Sequence, residues 1–320
     1  MKFLNLLHSF FKLIRWPNLL IIAIIQIALY FVIIGKIYAL AGINLAMQTQ
    51  YLILLVIITV LIAGAGYIVN DYFDIRTDRI NKPEAMILGP KIKRKTGFKI
   101  QLVMNLGAIS AGFLISFIAG SWRLGLIFPM LIMLLWLYSV KYKRMEIWGN
   151  LAIAFLSAMV ILVVWLFEFF ILRKNPDEFV MVVPYLGIIT RFFSIFALFA
   201  FLLTFIREVL KDAEDMRGDA ITGMRTFAVT RGIDASVKLA MILSGLSSLV
   251  ILIVSISFIL KGMSIAGVYY IIAVLFPLVW VIFKTYRARE KADFHFLSNA
   301  IKIIMIAGII GLQPIAMSLS

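Results

Sequence analysis

The 320-residue sequence predicts an all-α, polytopic membrane protein whose nine transmembrane helices form a bundle. Composition is the first observation behind this prediction: 63% of the residues are hydrophobic, only 15% are charged, and the mean hydropathy is +1.05. A soluble domain is about half apolar and roughly a quarter charged, so this chain lacks the polar surface that a water-soluble particle needs. Cytosolic enzymes, disordered chains and disulfide-rich secreted scaffolds are excluded, the last because the sequence has no cysteine.

The second observation is the presence of nine long apolar stretches along the chain. A helix needs about twenty mainly apolar residues to cross the hydrocarbon core of a membrane, and each stretch is close to or above that length. The first stretch is too long for the apolar region of a cleaved signal peptide, and no small-residue cleavage site follows it. The stretches cover residues 17–38, 51–69, 100–119, 123–141, 147–171, 182–206, 236–260, 265–285 and 297–318.

The segment before the first span, residues 1–16, is predicted to form a helix that lies along the membrane surface. Its large apolar side chains recur at intervals of three and four residues and its polar side chains lie on the opposite face, as in interfacial helices. The apolar face comprises Phe3, Leu6, Leu7, Phe10, Leu13 and Ile14, and the polar face comprises Lys2, Asn5 and Lys12. Together with the nine spans, this helix is predicted to belong to one domain covering residues 1–320.

The third observation is the distribution of lysine and arginine, which are enriched in the cytoplasmic segments of membrane proteins. The N-terminus and the segments after even-numbered spans hold 24 of these residues, whereas the segments after odd-numbered spans hold 5. The sequence therefore predicts an integral protein of the plasma or inner membrane with a cytoplasmic N-terminus and the C-terminus on the opposite side. Cytoplasmic loops over residues 70–99, 138–146 and 207–235 are predicted to cap the bundle.

The charged and metal-binding residue types narrow the function further. A net charge of +15 suits anionic lipid headgroups or an anionic substrate, and no nucleic-acid partner is expected for a chain this apolar. The sequence has only two histidines, His8 and His295, which argues against a multi-histidine zinc or iron site.

Nine of the 16 acidic residues fall within residues 70–84 and 207–219, at the cytoplasmic ends of the second and sixth spans. On a continuing helix, residues three or four apart share one face, and that spacing occurs in both windows. The first face comprises Asn70, Asp74 and Asp78, and the second comprises Glu208, Asp212, Asp215 and Asp219.

Carboxylates stacked in this way repel one another, by about 0.2–0.5 kcal/mol per pair on an exposed helix. A cation bound among the carboxylates would offset the repulsion in both arrays. Oxygen ligands without histidine or cysteine select hard ions, and Mg²⁺ held by one or two carboxylates plus substrate phosphates is the usual arrangement. The sequence thus predicts a magnesium site that binds a polyanion, beside membrane-embedded walls suited to a long apolar tail.

Two other interpretations compete with this one. Neighbouring basic residues such as Arg76 and Lys211 could neutralise the acids as ordinary surface ion pairs. A secondary transporter of an anionic metabolite would also place charges near membrane helices, but transporters carry ionisable groups near the midplane and show inverted repeats. The candidate mid-span charges here are few, Arg191 and Glu168. Two helically phased arrays on one side of the membrane favour a binding site.

The paired motifs resemble those of the UbiA superfamily of intramembrane prenyltransferases. The first reads Asn70-Asp71-x-x-Asp74-x-x-x-Asp78, and the second reads Lys211-Asp212-x-x-Asp215-x-x-x-Asp219. Nine spans with motifs after the second and sixth match that family over essentially the whole chain. The resemblance implies a UbiA-like bundle around a central cavity and Mg²⁺-dependent transfer of a prenyl group from an allylic prenyl diphosphate to a lipophilic acceptor.

The resemblance also implies roles for individual positions. Two Mg²⁺ ions are implied, one held by Asn70 and Asp74 and the other by Asp215 and Asp219, with Lys211 on the diphosphate. The other implied site residues are the motif partners Asp71, Asp78 and Asp212, the basic-loop residues Tyr138 and Lys141, and Arg15 and Asn18 at the start of the first helix. Either Asp78 or Asp212 would accept the proton of the acceptor.

The acceptor is indicated by the residues around the motifs. Residues 78–83 and 214–219 are similar to the digeranylgeranylglyceryl phosphate synthase group, which implies geranylgeranylglyceryl phosphate or a related glycerol-phosphate lipid. That group's Arg-Pro-x-Pro-Ser-Gly continuation is missing, as is the Arg-Thr…Arg-Pro signature of hydroxybenzoate prenyltransferases, so an aromatic quinone precursor stays open. The basic run Lys91-x-Lys93-Arg94-Lys95 suits an anionic acceptor or lipid headgroups.

Overall fold

A computed structural model describes residues 2–318 as helices joined by short turns; Met1, Leu319 and Ser320 lie outside the described residues. A short helix, α1 (Lys2–Leu13), precedes nine helices that are, within the described part of the chain, long and apolar enough to span a membrane. They are α2 (Trp16–Leu40), α3 (Thr49–Asn81), α4 (Arg94–Ile118), α5 (Trp122–Arg144), α6 (Trp148–Leu172), α7 (Pro176–Ile221), α8 (Phe227–Leu260), α9 (Ser264–Arg287) and α10 (Lys291–Ser318). The predicted all-α, polytopic membrane fold is confirmed.

The predicted apolar stretches coincide with these nine helices to within about one residue at either end, or lie inside them. A helix is the expected outcome because backbone N–H and C=O groups have no water to bond in the hydrocarbon core and must be satisfied within the segment. Two helices contain a single π-helical turn without losing continuity, at Leu29–Ile34 in α2 and Ile271–Leu275 in α9.

The structure differs from the sequence prediction in the segments that were expected to be cap loops. Helix α3 continues to Asn81, and α7 continues to Ile221, so both acidic windows are largely helical. The segment 138–146 consists of the end of α5 and a 3-10 turn, Tyr142–Arg144. These helices continue past their apolar stretches because lysines and arginines neutralise the stacked carboxylates and because α3 packs against α7 there.

Helix α1 is amphipathic over the part whose side chains the structure describes. Leu13 and Ile14 are buried in a small apolar cluster with Leu19, whereas Leu6 and Leu7 are exposed. The side chains of Lys2, Phe3 and Asn5, which belong to the predicted faces, lie outside the described residues. The helix is present as predicted, and its position along the membrane surface stays a prediction.

The core of the bundle also accommodates an acidic residue that the sequence left unexplained. Glu168 of α6 is fully buried, and its two carboxylate oxygens accept hydrogen bonds from the backbone N–H groups of Ala46 (3.0 Å) and Met47 (2.9 Å). The hydroxyl of Tyr30 donates to the carbonyl of Met47. Glu168 therefore fixes the turn between α2 and α3 at the end of the bundle opposite the acidic windows.

Candidate active site

A cavity of about 680 Å³ lies within the helix bundle. One end is strongly charged, and the rest of the wall is apolar. The charged end is lined by Asn70, Asp71, Asp74 and Asp78 of α3, by Arg207, Glu208, Lys211 and Asp215 of α7, and by Lys12, Arg15, Lys82, Lys143 and Lys302. The apolar wall includes Ile25, Phe128, Phe192, Phe196, Phe199, Phe258 and Ile315. Both acidic windows thus open into one amphipathic cavity.

The two windows meet because α3 and α7 approach each other closely at the ends that carry the acidic residues. Gly218 of α7 makes this possible, since a Cβ atom there would lie 2.0 Å from the Oδ1 atom of Asn81. The amide of Asn81 donates to the backbone carbonyl of Asp215 at 3.3 Å, and the hydroxyl of Thr77 donates to that of Thr222 at 3.2 Å. These contacts hold the second acidic window against the first.

Each acidic window is partly neutralised by a cation from another segment. Lys143 donates a hydrogen bond to the buried carboxylate of Asp74, and Nδ2 of Asn70 donates to the same oxygen at 2.7 Å. Lys82 bonds the Asp215 carboxylate at 2.9 Å. On α7, Glu208 pairs with its neighbour Arg207 at 2.9 Å and lies 3.9 Å from the ammonium of Lys211. These groups of ion pairs and hydrogen bonds together make up the charged network at this end of the cavity.

Arg15 connects this network to the first spanning helix. Its guanidinium bonds the Asp71 carboxylate at 2.9 Å and lies 4.7 Å from the centre of the Tyr67 ring. Burial disfavours the charged form, but the fields of Asp71 and Tyr67 outweigh it and raise the pKa of Arg15 above its usual value. Arg15 is the one non-glycine residue among those described with a positive φ, 53°, a conformation that costs of order 1 kcal/mol and tends to occur at functional sites.

Asn18, one turn further along α2, lies beside Arg15. Its amide donates to the Tyr67 hydroxyl at 3.3 Å, and its carbonyl oxygen accepts a hydrogen bond from Lys302 of α10 at 2.8 Å. Arg15 and Asn18 both line the cavity, as the resemblance implied.

Three of the residues proposed from the sequence do not line the cavity. Asp212 accepts a hydrogen bond from the buried amide of Asn150 at 2.9 Å. Asp219 is only 5% exposed and is close enough to Asp74 for their charges to interact. Lys141 is exposed, and Lys143 of the same loop reaches the site instead. Lys141 precedes the 3-10 turn Tyr142–Arg144 at the end of α5, and Lys143 lies within that turn. Tyr138, before the turn, lines the cavity.

Several lining residues were not among those proposed from the sequence. Glu208 shares the helical face of Asp212 and Asp215, so its spacing was a usable signal. Lys302 is visible in the sequence as a lone cation within an apolar stretch. No sequence pattern distinguishes Lys82, Lys143 and Arg207 from the other basic residues of the segments that are predicted to be cytoplasmic.

The residues of the charged end fit a hard divalent cation. Within residues 2–318 no three acidic or histidine side chains already form a ligand cluster. The Oδ1 atom of Asp215, however, is buried and has no hydrogen-bond partner among the described residues. A buried carboxylate oxygen is costly unless it is paired, and carboxylate and amide oxygens are the donors that Mg²⁺ prefers. The donor set therefore suits Mg²⁺ shared with a bound phosphate group.

Comparison with known proteins agrees with this geometry. The UbiA prenyltransferase family matches residues 28–300. The digeranylgeranylglyceryl phosphate synthase of Methanosphaera stadtmanae is 29% identical over 261 residues, 80% of this chain and 85% of that protein. The corresponding synthase of Saccharolobus solfataricus is 28% identical over 273 residues, 82% of this chain and 84% of that protein.

Solved structures show the same fold. A structure of digeranylgeranylglyceryl phosphate synthase superposes with a TM-score of 0.61 at 24% identity, covering 96% of this chain and 98% of that one. A UbiA homolog from Archaeoglobus fulgidus bound to GPP and Mg²⁺ superposes with a TM-score of 0.57 at 12% identity, covering 95% of this chain and 99% of that one.

Proposed function

Because the chain belongs to the UbiA prenyltransferase family, we propose that it transfers a prenyl group from an allylic prenyl diphosphate to a glycerol-phosphate lipid within the membrane. The observation that supports this most directly is the amphipathic cavity. Its charged end suits a diphosphate, and its apolar length suits a hydrocarbon tail. A soluble-substrate site would not need an apolar wall that continues into the bundle.

The acceptor follows from relatives that the chain resembles over most of its length. They are named digeranylgeranylglyceryl phosphate synthase, which is an enzyme that attaches a second geranylgeranyl group to a glycerol phosphate that already carries one. The substrates proposed here are accordingly geranylgeranyl diphosphate and geranylgeranylglyceryl phosphate. No feature of the cavity favours an aromatic acceptor over this lipid.

Mg²⁺ is proposed as the cofactor, with two ions held by Asn70 and Asp74 on α3 and by Asp215 and Asp219 on α7. When bound, Mg²⁺ stabilises the negative charge that develops on a leaving diphosphate. The buried Oδ1 atom of Asp215, which has no hydrogen-bond partner among the described residues, is the atom that supports the assignment; the amide oxygen of Asn70 accepts a hydrogen bond from Lys143 at 3.5 Å.

The residues of the chain have separate tasks in the transfer. When the bond between C1 of the prenyl group and the diphosphate oxygen breaks, its electron pair goes to the diphosphate. Lys82, Lys143 and Lys211 lie where that negative charge develops, and preorganised cations of this kind lower the barrier. The apolar wall excludes water, which would otherwise trap the allylic cation as an alcohol.

Asp78 is proposed to take the proton of the acceptor. A lone pair of the acceptor hydroxyl forms the new bond to C1, and the proton passes to a carboxylate. Asp78 lines the cavity and forms no ion pair with any described residue, whereas Asp212 is bonded to Asn150 outside the lining. Of the two candidates, Asp78 is therefore the available base.

The chain is an integral membrane protein, and its orientation is proposed from the excess of lysine and arginine on one side. The N-terminus and the charged end of the cavity would face the cytoplasm, and the C-terminus the opposite side. We treat residues 1–320 as a single domain, since the cavity is lined by residues from near both ends of the chain, Lys12 to Ile315.

The test is prenyl transfer by purified protein, with geranylgeranyl diphosphate, geranylgeranylglyceryl phosphate and Mg²⁺, read by mass spectrometry. Asp74→Asn and Asp215→Asn should each lower turnover by about a hundredfold or more, since several kcal/mol of leaving-group stabilisation is lost. The matched control is Asp234→Asn, whose side chain is 92% exposed and lies outside the cavity. Turnover near the wild-type rate in either site variant would contradict the proposal.

A further inference from the structure

We propose that Lys302 of α10 binds the phosphate group of the acceptor lipid. This inference rests on the proposed function and extends it, because it assigns the two anionic groups of the reaction to different parts of one cavity. The diphosphate of the donor would bind at the two acidic windows. The phosphate of the acceptor would bind beside α2 and α10, at the junction of the first and last spanning helices.

Lys302 is an unusual residue for its position in the sequence. It follows Ile301 and precedes Ile303 and Ile304 in an apolar stretch that spans the membrane. An ionisable side chain inside a spanning helix is energetically costly and typically faces a polar cavity or a binding site. Lys302 lines the central cavity and is only partly exposed, so its charge faces the interior of the bundle.

The ammonium group of Lys302 has capacity for a ligand. It donates one hydrogen bond, to the Oδ1 atom of Asn18 at 2.8 Å. An ammonium carries three N–H donors, and Lys302 forms no ion pair with any residue in the described range. A neutral amide stabilises the charge only in part, so the cavity presents a lysine whose charge is not matched by a carboxylate.

The other cations of the cavity differ in this respect. The five that are paired with carboxylates are Arg15, Lys82, Lys143, Arg207 and Lys211. Among the lining cations that the structure describes, Lys12 and Lys302 alone lack such a pair. Arg207 is close enough to Lys302 for their charges to repel each other. Lys302 therefore carries a charge that no carboxylate pairs and that Arg207 repels, and an anion bound beside it would relieve this repulsion.

The position also satisfies the geometry of the reaction. In a glycerol phosphate the reacting hydroxyl and the phosphate are on adjacent carbon atoms, so the phosphate must bind close to C1 of the donor. Asn18 links Lys302 to Tyr67 on α3, and Tyr67 lies against Arg15, which pairs with Asp71 of the first acidic window. The proposed phosphate site thus adjoins the diphosphate site without overlapping it.

The basic run after the first window does not compete for this role. The residues Lys91, Lys93, Arg94 and Lys95 are exposed and do not line the cavity. Arg94 instead lies 4.9 Å from the centre of the Tyr72 ring. These residues are placed to contact lipid headgroups, while Lys302, inside the bundle, is placed to select the acceptor.

The experiment compares wild-type protein with Lys302→Met, which keeps the length of the side chain and removes the charge. Binding of geranylgeranylglyceryl phosphate and of the same lipid without phosphate is measured by calorimetric titration, and transfer kinetics are measured for both. Loss of a charged hydrogen bond to phosphate should weaken binding of the phosphate lipid about tenfold or more. Affinity for the alcohol, and the KM for the prenyl diphosphate, should change less than about twofold.

Two controls separate charge from folding. Lys302→Arg should restore most of the affinity for the phosphate lipid, and Lys99→Met, at an exposed lysine on α4, should behave as wild type.

Two results with Lys302→Met protein would overturn the inference. The variant could bind the phosphate lipid as tightly as wild type does, or it could lose affinity for both lipids equally. Displacement of the acceptor from wild-type protein by an equal concentration of phosphatidylglycerol also overturns it, because the site would then recognise lipid headgroups in general. If the proposed function itself is wrong, the result is different: wild-type protein then transfers no prenyl group.

Discussion

Gly218 offers a demanding test of how the two acidic windows are held together. A Cβ atom at this position would lie 2.0 Å from Oδ1 and 2.4 Å from Cγ of Asn81, far inside van der Waals contact. In Gly218→Ala, either the Asn81 side chain must leave its place or α3 and α7 must separate. In both cases the hydrogen bond from Asn81 to the Asp215 carbonyl is lost.

The expected magnitude follows from three effects. Overpacking of this kind costs about 1–3 kcal/mol, and the lost hydrogen bond costs about 1 kcal/mol. Alanine recovers up to about 1 kcal/mol through its higher helix propensity. The net loss of stability should be about 1–3 kcal/mol. Because small displacements of reacting groups cost up to about a hundredfold in rate, turnover should fall about ten- to a hundredfold.

The assay combines thermal unfolding in detergent with Mg²⁺-dependent prenyl transfer. Gly245→Ala in α8 is the matched control, since a Cβ atom there meets nothing within 4 Å; it should leave turnover unchanged and stability equal or higher. Adding Asn81→Ala to Gly218→Ala removes the clashing atoms and should recover much of the turnover. A Gly218→Ala protein with wild-type stability and turnover, or no recovery in the double variant, would refute the reasoning.

Two further predictions concern the far end of the bundle. Glu168→Gln should lower the free energy of unfolding by about 1–3 kcal/mol, because an amide cannot accept both of the hydrogen bonds that Ala46 and Met47 donate; thermal unfolding checks this, and unchanged stability would count against it. The rings of Phe258 and Tyr270 lie 6.1 Å apart at the end of the cavity away from the charged groups. Phe258→Ala should shift the preferred donor towards a tail one isoprene unit longer, measured by competition between two prenyl diphosphates, and an unchanged preference would show that this ring does not limit tail length.

The fold could be predicted from the sequence because membrane insertion imposes a simple physical rule. Each apolar stretch of sufficient length must form a helix, and the charge asymmetry counts the crossings independently. The same rule predicts nothing about the residues beyond the apolar stretches. Whether α3 would stop near Val69 or continue to Asn81 depends on cations that neutralise Asp74 and on packing against α7, and neither is visible in local sequence.

The site was predictable where helical spacing carries the information. Asn70, Asp74 and Asp78 share a face in any helix, and all three line the cavity. The basic loop is a different case, because the α-helical spacing ends at the 3-10 turn Tyr142–Arg144 of α5, and Lys143 rather than Lys141 lines the cavity. Asp212 shows the limit of the spacing argument as well, since a long-range bond from Asn150 holds its carboxylate.

The most direct test of the central claim is a titration that measures how tightly the protein binds divalent ions in the presence of a non-reactive prenyl diphosphate analogue. Mn²⁺ replaces Mg²⁺, and electron paramagnetic resonance is the readout. The account predicts that wild-type protein binds ions with the analogue and that Asp74→Asn on α3 and Asp215→Asn on α7 each weaken this binding about tenfold or more. Ion binding that survives unchanged in either variant would contradict the claim that the two helices hold the metal together.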